Sequence, residues 1–385
     1  MKFVQLKRGL RAGALAASVL ATGMAGAPYA MAQAKTSVQL GAIEVLSGPN
    51  AKYGVSIKSG FDLALSEINA AGGVLGAPLA IHYEDSAGNK DQAVNAVRKL
   101  IGADKVSLIL GPTLSGEMFA AGPVANAQKI PIVGTSTTAN GITALGNYVF
   151  RTSLPESDVV PVTLKAARDK LGVKKVAVMY GNDDAFTKSG YDVMKAALTK
   201  LGIETLTTET FGGKDTDFSA QLTKIKAMNP DAIVVSALVQ AGAGIMLEKK
   251  ALGFSDKVRI IGGNGLNSPK IGEIAGAAAN GTLVGSPWFV GKQDAANVKF
   301  VGAYKAKYNA EPDQFAAQAY DTLFIVAKAI TAAGAADPQK IRDALVNVKY
   351  SGVLGPSAFT ADRNPADTSG VVVLEMEDGK FAPLK

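Results

Sequence analysis

The chain has 385 residues, with 40 Lys+Arg against 33 Asp+Glu for a formal charge of +7, 48% hydrophobic residues, a single His and no Cys. Without thiols there is no disulfide framework, no thiolate metal site and no lipid-modified cysteine, and one imidazole leaves nothing for a histidine metal cluster or a serine–histidine triad. The basic residues are dispersed among acids with no aromatic interleaving, which argues against a nucleic-acid surface.

In chain order, residues 1–34 come first and read as a secretory signal peptide. "MKFVQLKRGLR" is a basic n-region, "AGALAASVLATGMAGA" is a small apolar h-region, and "PYAMAQA" offers cleavage after Ala34, with Ala32 as the alternative. The apolar run is too short and too rich in Gly and Ala for a membrane span, which needs ~20 strongly apolar residues. Four of the basic residues and no acid lie here, so the remainder carries 36 Lys+Arg against 33 Asp+Glu, a net charge of +3. The expected product is a free periplasmic protein, a monomer by default. Its roughly 350 residues exceed the usual size of one core, so two lobes are expected.

From "VQLGAI" (38–43) onward, short β-branched runs alternate with amphipathic segments. Ile57, Phe61, Leu65 and Ile68 fall at helical spacing, "LAIHYE" alternates like a strand, Val94, Val97 and Ile101 form a helical face, and "VSLIL" reads as a strand. The pattern restarts after "VFRTSLPES". Strands are predicted at "VAVMYG" (176–181), "IETLTTETF", "DAIVVSAL" (231–238) and "VRIIGGN" (258–264), with helices near 185–200, 216–227 and 241–252. Such repetition implies two open α/β units with parallel-rich sheets and a ligand crevice at their strand ends. "DQFAAQAYDTLFIVAKAI" and a helix near 338–348 read as helices that return to the first lobe. His82, inside the alternating "APLAIHYED", reads as structural.

Two turns carry the chemistry. "SLILGPTLSGE" (107–117) and "PIVGTSTT" (131–138) each end an apolar strand in hydroxyls and glycine, bringing Ser115, Ser136 and Thr138 to neighbouring strand ends. Free N–H groups and a helix dipole suit an anion there. Either turn alone is equally a set of helix N-caps; two together favour a carboxylate cradle. "GPTLSGE" lacks the lysine of a phosphate loop, and "GGNGLN" (262–267) lacks the spaced third glycine of a dinucleotide fingerprint. Neither serine sits in a nucleophile elbow. The pairs Glu84-Asp85 and Asp183-Asp184 read as solvated turns. No catalytic constellation and no cofactor is indicated.

Taken together, "LSGPNAKYGVSIKSGFDLALSEINAAGGVLG", "DSAGNKDQAVNAVRKLI", "LGPTLSGE", "IPIVGTSTT", "AGAAANGTLVGSPWF" and "PDQFAAQAYD" closely resemble the periplasmic leucine/isoleucine/valine-binding proteins of ABC importers. The resemblance implies the type I periplasmic binding fold, two Rossmann-like α/β lobes joined by three hinge crossings near 152–156, 284–288 and 354–358. The lobes are placed at 35–153 plus 286–356 and at 154–285 plus 357–385. It also implies capture of a small carboxylate-bearing solute by hinge closure and its delivery to a membrane permease, with Ser115, Ser136 and Thr138 on the carboxylate and Tyr53 in the cleft. The chain departs from the family where an amino-acid binder has a tyrosine and an acid that pairs with the ammonium: here stand Phe186 and Asn264. An amide is a weaker partner than a charged acid for a buried ammonium. Two solutes therefore remain open. One is an amino acid of branched-chain or aliphatic type, with Asp183 or Asp184 supplying the charge. The other is an ammonium-free acid, aromatic or oxo, read by Asn264 and walled by Phe186, Trp288 and Phe289. A ligand sensor for a membrane receptor is the remaining alternative.

Overall fold

The computed structural model describes residues 37–385, so the signal-peptide reading lies outside the described residues. The first half alternates β1 (Val38–Glu44), α1 (Ala51–Ala70), β2 (Leu79–Asp85), α2 (Lys90–Gly102), β3 (Ile109–Leu110), α3 (Ser115–Ala127), β4 (Ile132–Gly134) and β5 (Val149–Arg151). These strands form a wholly parallel five-stranded sheet in the order β2-β1-β3-β4-β5. The inner strand β1 is buried almost throughout, whereas β2 at the edge is mostly half-buried. That contrast follows from helices covering both faces of an inner strand. His82 sits on the edge strand, where its Nε2 lies 2.5 Å from Gln39 Oε1 of β1. It is a cross-strand polar pair in the wall of the sheet.

The chain then enters a second unit: α4 (Glu156–Leu171), β6 (Lys175–Gly181), α5 (Ala185–Leu201), β7 (Glu204–Phe211), α6 (Ser219–Ala227), β8 (Ala232–Ser236), α7 (Val239–Ala251), β9 (Arg259–Gly262), α8 (Lys270–Ala275) and β10 (Leu283–Ser286). β8, "AIVVS", is entirely buried at the sheet centre, and the polar "ETLTTETF" of β7 lies at the edge. After β10 the chain returns to the first unit through α9 (Ala295–Tyr308), α10 (Gln314–Ala333) and α11 (Pro338–Leu345), with α10 packed along α1. A short hairpin of β11 (Tyr350–Gly352) and β12 (Gly355–Ser357) follows, and the chain ends in β13 (Val372–Glu377) and β14 (Lys380–Pro383). The second sheet runs β14-β13-β10-β9-β8-β6-β7, antiparallel only where β13 meets β10 and β14. The architecture is two α/β lobes with parallel-rich sheets.

The last two strands add to the reading from sequence, which placed no strand after residue 358. Their signal is local. "VVLEME" and "KFAP" flank Asp378-Gly379, whose φ values of 47° and 80° give the turn that joins antiparallel strands tightly.

Candidate functional site

The strands of both sheets direct their C-terminal ends at one crevice, and the residues just beyond those ends line a small cavity of about 20 Å³. Thr113, Leu114 and Ser115 follow β3 and Ser136 follows β4; from the other lobe come Phe186 after β6, Leu238 after β8, and Asn264 and Gly265 after β9. Tyr53 of α1 and Phe315 of α10 complete the wall. Parallel α/β sheets place their binding crevice where neighbouring connections leave in opposite directions. Here the first sheet reverses between β1 and β3, and the second between β6 and β8.

Of the residues singled out in the sequence, Ser115, Ser136, Tyr53, Phe186 and Asn264 come together around this cavity. Ser136 Oγ donates to Thr113 O at 2.5 Å, and Ser115 Oγ accepts from Ala139 N at 3.2 Å, leaving the Ser115 proton free to donate. Thr138 stands behind them and donates to Glu156 Oε1 at 3.4 Å. Arg151, buried at the end of β5, braces this turn through Thr137 O at 3.1 Å and Ala139 O at 2.7 Å. Trp288 lies elsewhere: its Nε1 donates to Asn297 Oδ1 at 2.6 Å, and with Phe289 it lines a different chamber. Gly111 has a structural task. It adopts φ +85° with Ile43 O only 2.3 Å from where a Cβ would stand, so a side chain there would both strain the turn and collide with β1.

The acids differ from expectation. Asp183 accepts from Gly213 N at 2.9 Å and Asp184 caps α5 through Thr187 N at 3.0 Å; neither lines the cavity. Glu156, the first residue of α4, does not line the cavity either, but it is hydrogen-bonded to residues on both sides of it. Its Oε1 accepts from Asn264 N at 2.8 Å and from Thr138, so it ties the lobes together beside the cavity wall. Its Oε2 is buried with no hydrogen-bond partner, and burial pushes the carboxyl up to about 7. A Cβ on Gly263 would come 2.4 Å from that oxygen, which explains a glycine at this place in "GGNG". In the sequence, Glu156 looks like an ordinary acid in the first turn of a helix; only its burial marks it.

Two further acids lie beneath the first-lobe floor. Thr113 Oγ1 donates to Glu44 at 2.5 Å, and burial raises Glu44 well above the usual range. Glu117 accepts from Leu114 N at 3.0 Å and is raised by burial to about 7. Glu117 thus occupies one of the N–H donors that the sequence suggested for a solute. As neutral acids the pair would not repel an anion bound above them.

Tyr53 bridges the lobes. Its hydroxyl donates to Gly265 O at 2.5 Å and accepts from Val239 N at 2.8 Å. A space of 20 Å³ is about one water's worth, so a solute enters only with the lobes apart.

A family model described as "Periplasmic binding protein" matches residues 37–380. The Leu/Ile/Val-binding protein homolog 3 of Brucella melitensis biotype 1 is 29% identical over 316 residues, covering 82% of this chain and 83% of its own. The branched-chain amino acid transporter substrate binding protein of Streptococcus pneumoniae, solved in complex with isoleucine, superposes with a TM-score of 0.84 at 31% identity, over 90% of this chain and 98% of that one. A solute binding protein of an ABC transporter from R. palustris, solved in complex with benzoate, shares the fold at a TM-score of 0.82 and 23% identity, covering 91% of this chain and 96% of that one.

Proposed function

Since the chain belongs to the Leu/Ile/Val-binding family of periplasmic binding proteins, the non-catalytic solute carriers of ABC importers, we propose that its solute is an α-amino acid with a short apolar side chain, of branched-chain type. The carboxylate is assigned to the Ser115 hydroxyl and the first-turn amides of α3, with Ser136 and Thr138 joining by turning their hydroxyl protons from Thr113 O and Glu156 Oε1 to the solute. The ammonium is held by Glu156. The observation that carries this reading is the Glu156 carboxyl, buried between Thr138 and the Asn264 amide with one oxygen unpaired. It supplies, from the start of α4, the charge that Asn264 cannot. The isoleucine bound by the S. pneumoniae relative supports the same class.

An ammonium-free acid is the second reading. It is favoured by Asn264, a neutral amide that carries no charge to match an ammonium and whose Oδ1 already gives one lone pair to Gln314 Nε2 at 2.5 Å. Calorimetry on protein unfolded and refolded to strip carried-over solute separates the two. Leucine, isoleucine and valine binding, with their 2-oxo analogues silent, supports the amino-acid reading; the opposite pattern overturns it.

Export rests on the segment 1–34, and N-terminal sequencing of the periplasmic form is expected to begin at Lys35 or Gln33. Hinge closure about the three crossings carries the solute, and an inner-membrane permease receives it from the closed form, because a bridged solute favours that state. Co-purification with a permease checks this step, whereas a receptor or kinase in its place would indicate a sensor.

A further inference from the structure

Behind the solute cavity lies a second chamber of about 350 Å³, lined on the apolar side by Trp288, Phe289, Tyr304, Leu374 and Phe381. The two are divided by a pair of side-chain amides. Asn264 faces the small cavity and Gln314, the first residue of α10, faces the large chamber. Gln314 is fixed from both sides: its Nε2 donates to Asn264 Oδ1 at 2.5 Å, and its Oε1 accepts from Asn267 Nδ2 at 2.7 Å with Ser286 Oγ at 3.3 Å. It is 3% exposed, and Asn267 is equally buried. Swinging Gln314 aside would break its bonds to Asn264, Asn267 and Ser286 together, leaving Asn267 Nδ2 with only Gly285 O at 3.3 Å.

We propose that Gln314 is a specificity-determining residue, the end wall that limits how long a side chain the solute carries. The carboxylate end of the site is the Thr113–Ser115–Ser136 floor in the first lobe, so a side chain extends away from it, toward Asn264 and Phe315. A solute of branched-chain length stops at the amide pair. One several carbons longer would need the space that Gln314 fills, although a chamber large enough for it stands behind, apolar along Trp288, Phe289 and Phe381 and charged along Lys52, Glu311 and Asp313. This inference rests on the placement of the carboxylate given above.

The test is calorimetry with a straight-chain series, norvaline, norleucine, 2-aminoheptanoate and 2-aminooctanoate, on wild-type protein and on Gln314→Ala. The wild type is expected to lose at least tenfold in affinity between norleucine and 2-aminooctanoate. Gln314→Ala is expected to bind 2-aminooctanoate at least tenfold tighter than the wild type while its norvaline affinity changes far less. Parallel profiles for the two proteins overturn the proposal. Gln314→Asn, one methylene shorter, is the second variant should the alanine protein fail to fold, and a shift toward longer solutes is expected from it too. If the wild type binds none of the amino acids, the amino-acid reading fails separately, and the matching fatty acids from pentanoate to octanoate carry the same comparison.

Discussion

In the proposed site Glu156 and Ser115 have different tasks, the ammonium and the carboxylate, and each leaves a distinct signature. Ser115→Ala removes a hydroxyl donor from the carboxylate end and is expected to weaken any carboxylate solute by about 1–3 kcal/mol in calorimetry, with or without an amino group. Unchanged affinity would take Ser115 out of the site. Glu156→Gln removes only the charge facing the ammonium, so it should weaken amino acids by about 1.5–3 kcal/mol and spare their deaminated analogues. Because burial holds Glu156 at about 7, pairing with an ammonium below that pH first requires the proton to leave. Affinity for leucine should therefore fall as pH drops from 7 to 5, by up to about tenfold per unit, and the dependence should vanish in Glu156→Gln. A flat profile in the wild type would show that Glu156 does not meet the ligand. That Ser115 and Ser136 stand at neighbouring strand ends beside one cavity was legible in the sequence, because each follows an apolar strand run by a few residues. Glu156 was not, since an acid at the start of a helix is commonplace until its surroundings are known.

The elements that matter most are those whose first turns meet across the crevice. α1 brings Tyr53, α3 brings Ser115, α5 brings Phe186 and α10 brings Gln314 and Phe315. Tyr53 makes both of its hydroxyl bonds to backbone of the other lobe, so it acts on closure. Tyr53→Phe is expected to weaken every solute alike, by about 1–2 kcal/mol, because it removes bonds made only in the closed form. An effect confined to one class of solute would instead make Tyr53 a direct contact. Helices and inner strands were readable from periodicity and from unbroken runs such as "AIVVS". The fate of Trp288 was not: its neighbours in sequence suggested a cleft wall, while its indole is engaged by Asn297 of α9, nine residues on.

Across the whole molecule, several buried carboxyls stand above their ordinary range. Glu156 and Glu117 are near 7 and Asp321 near 6, and Glu44 is also raised well, all chiefly through burial. Between the ordinary carboxyl value of 4.5 and about 7, the folded protein binds more protons than the unfolded chain, so stability falls as pH rises through that window. The solute-free protein should consequently melt at a higher temperature at pH 5 than at pH 7.5, and an amino-acid solute should narrow the difference by pairing with ionised Glu156. A melting point that rises steadily from pH 5 to 7.5 would contradict these assignments. Glu44 and Glu117, beneath the first-lobe floor, cost stability when they ionise, and an anion bound above them gains from their neutral forms.

By itself the sequence determined the alternation of strands and helices, the two-lobed architecture and the hydroxyl-bearing strand ends. These depend on periodicity and on neighbours a few residues apart, which any stretch of chain carries with it. Tertiary structure alone decided that Glu156 meets Thr138 and the Asn264 amide, that Trp288 stands in a separate chamber, and that Gln314 bonds to Asn264 between the two cavities. Those outcomes depend on contacts between residues as far apart as Glu156 and Asn264, or Asn264 and Gln314. Burial and partner identity are properties of such meetings, and the charge state of a carboxyl or the reach of an amide follows from them.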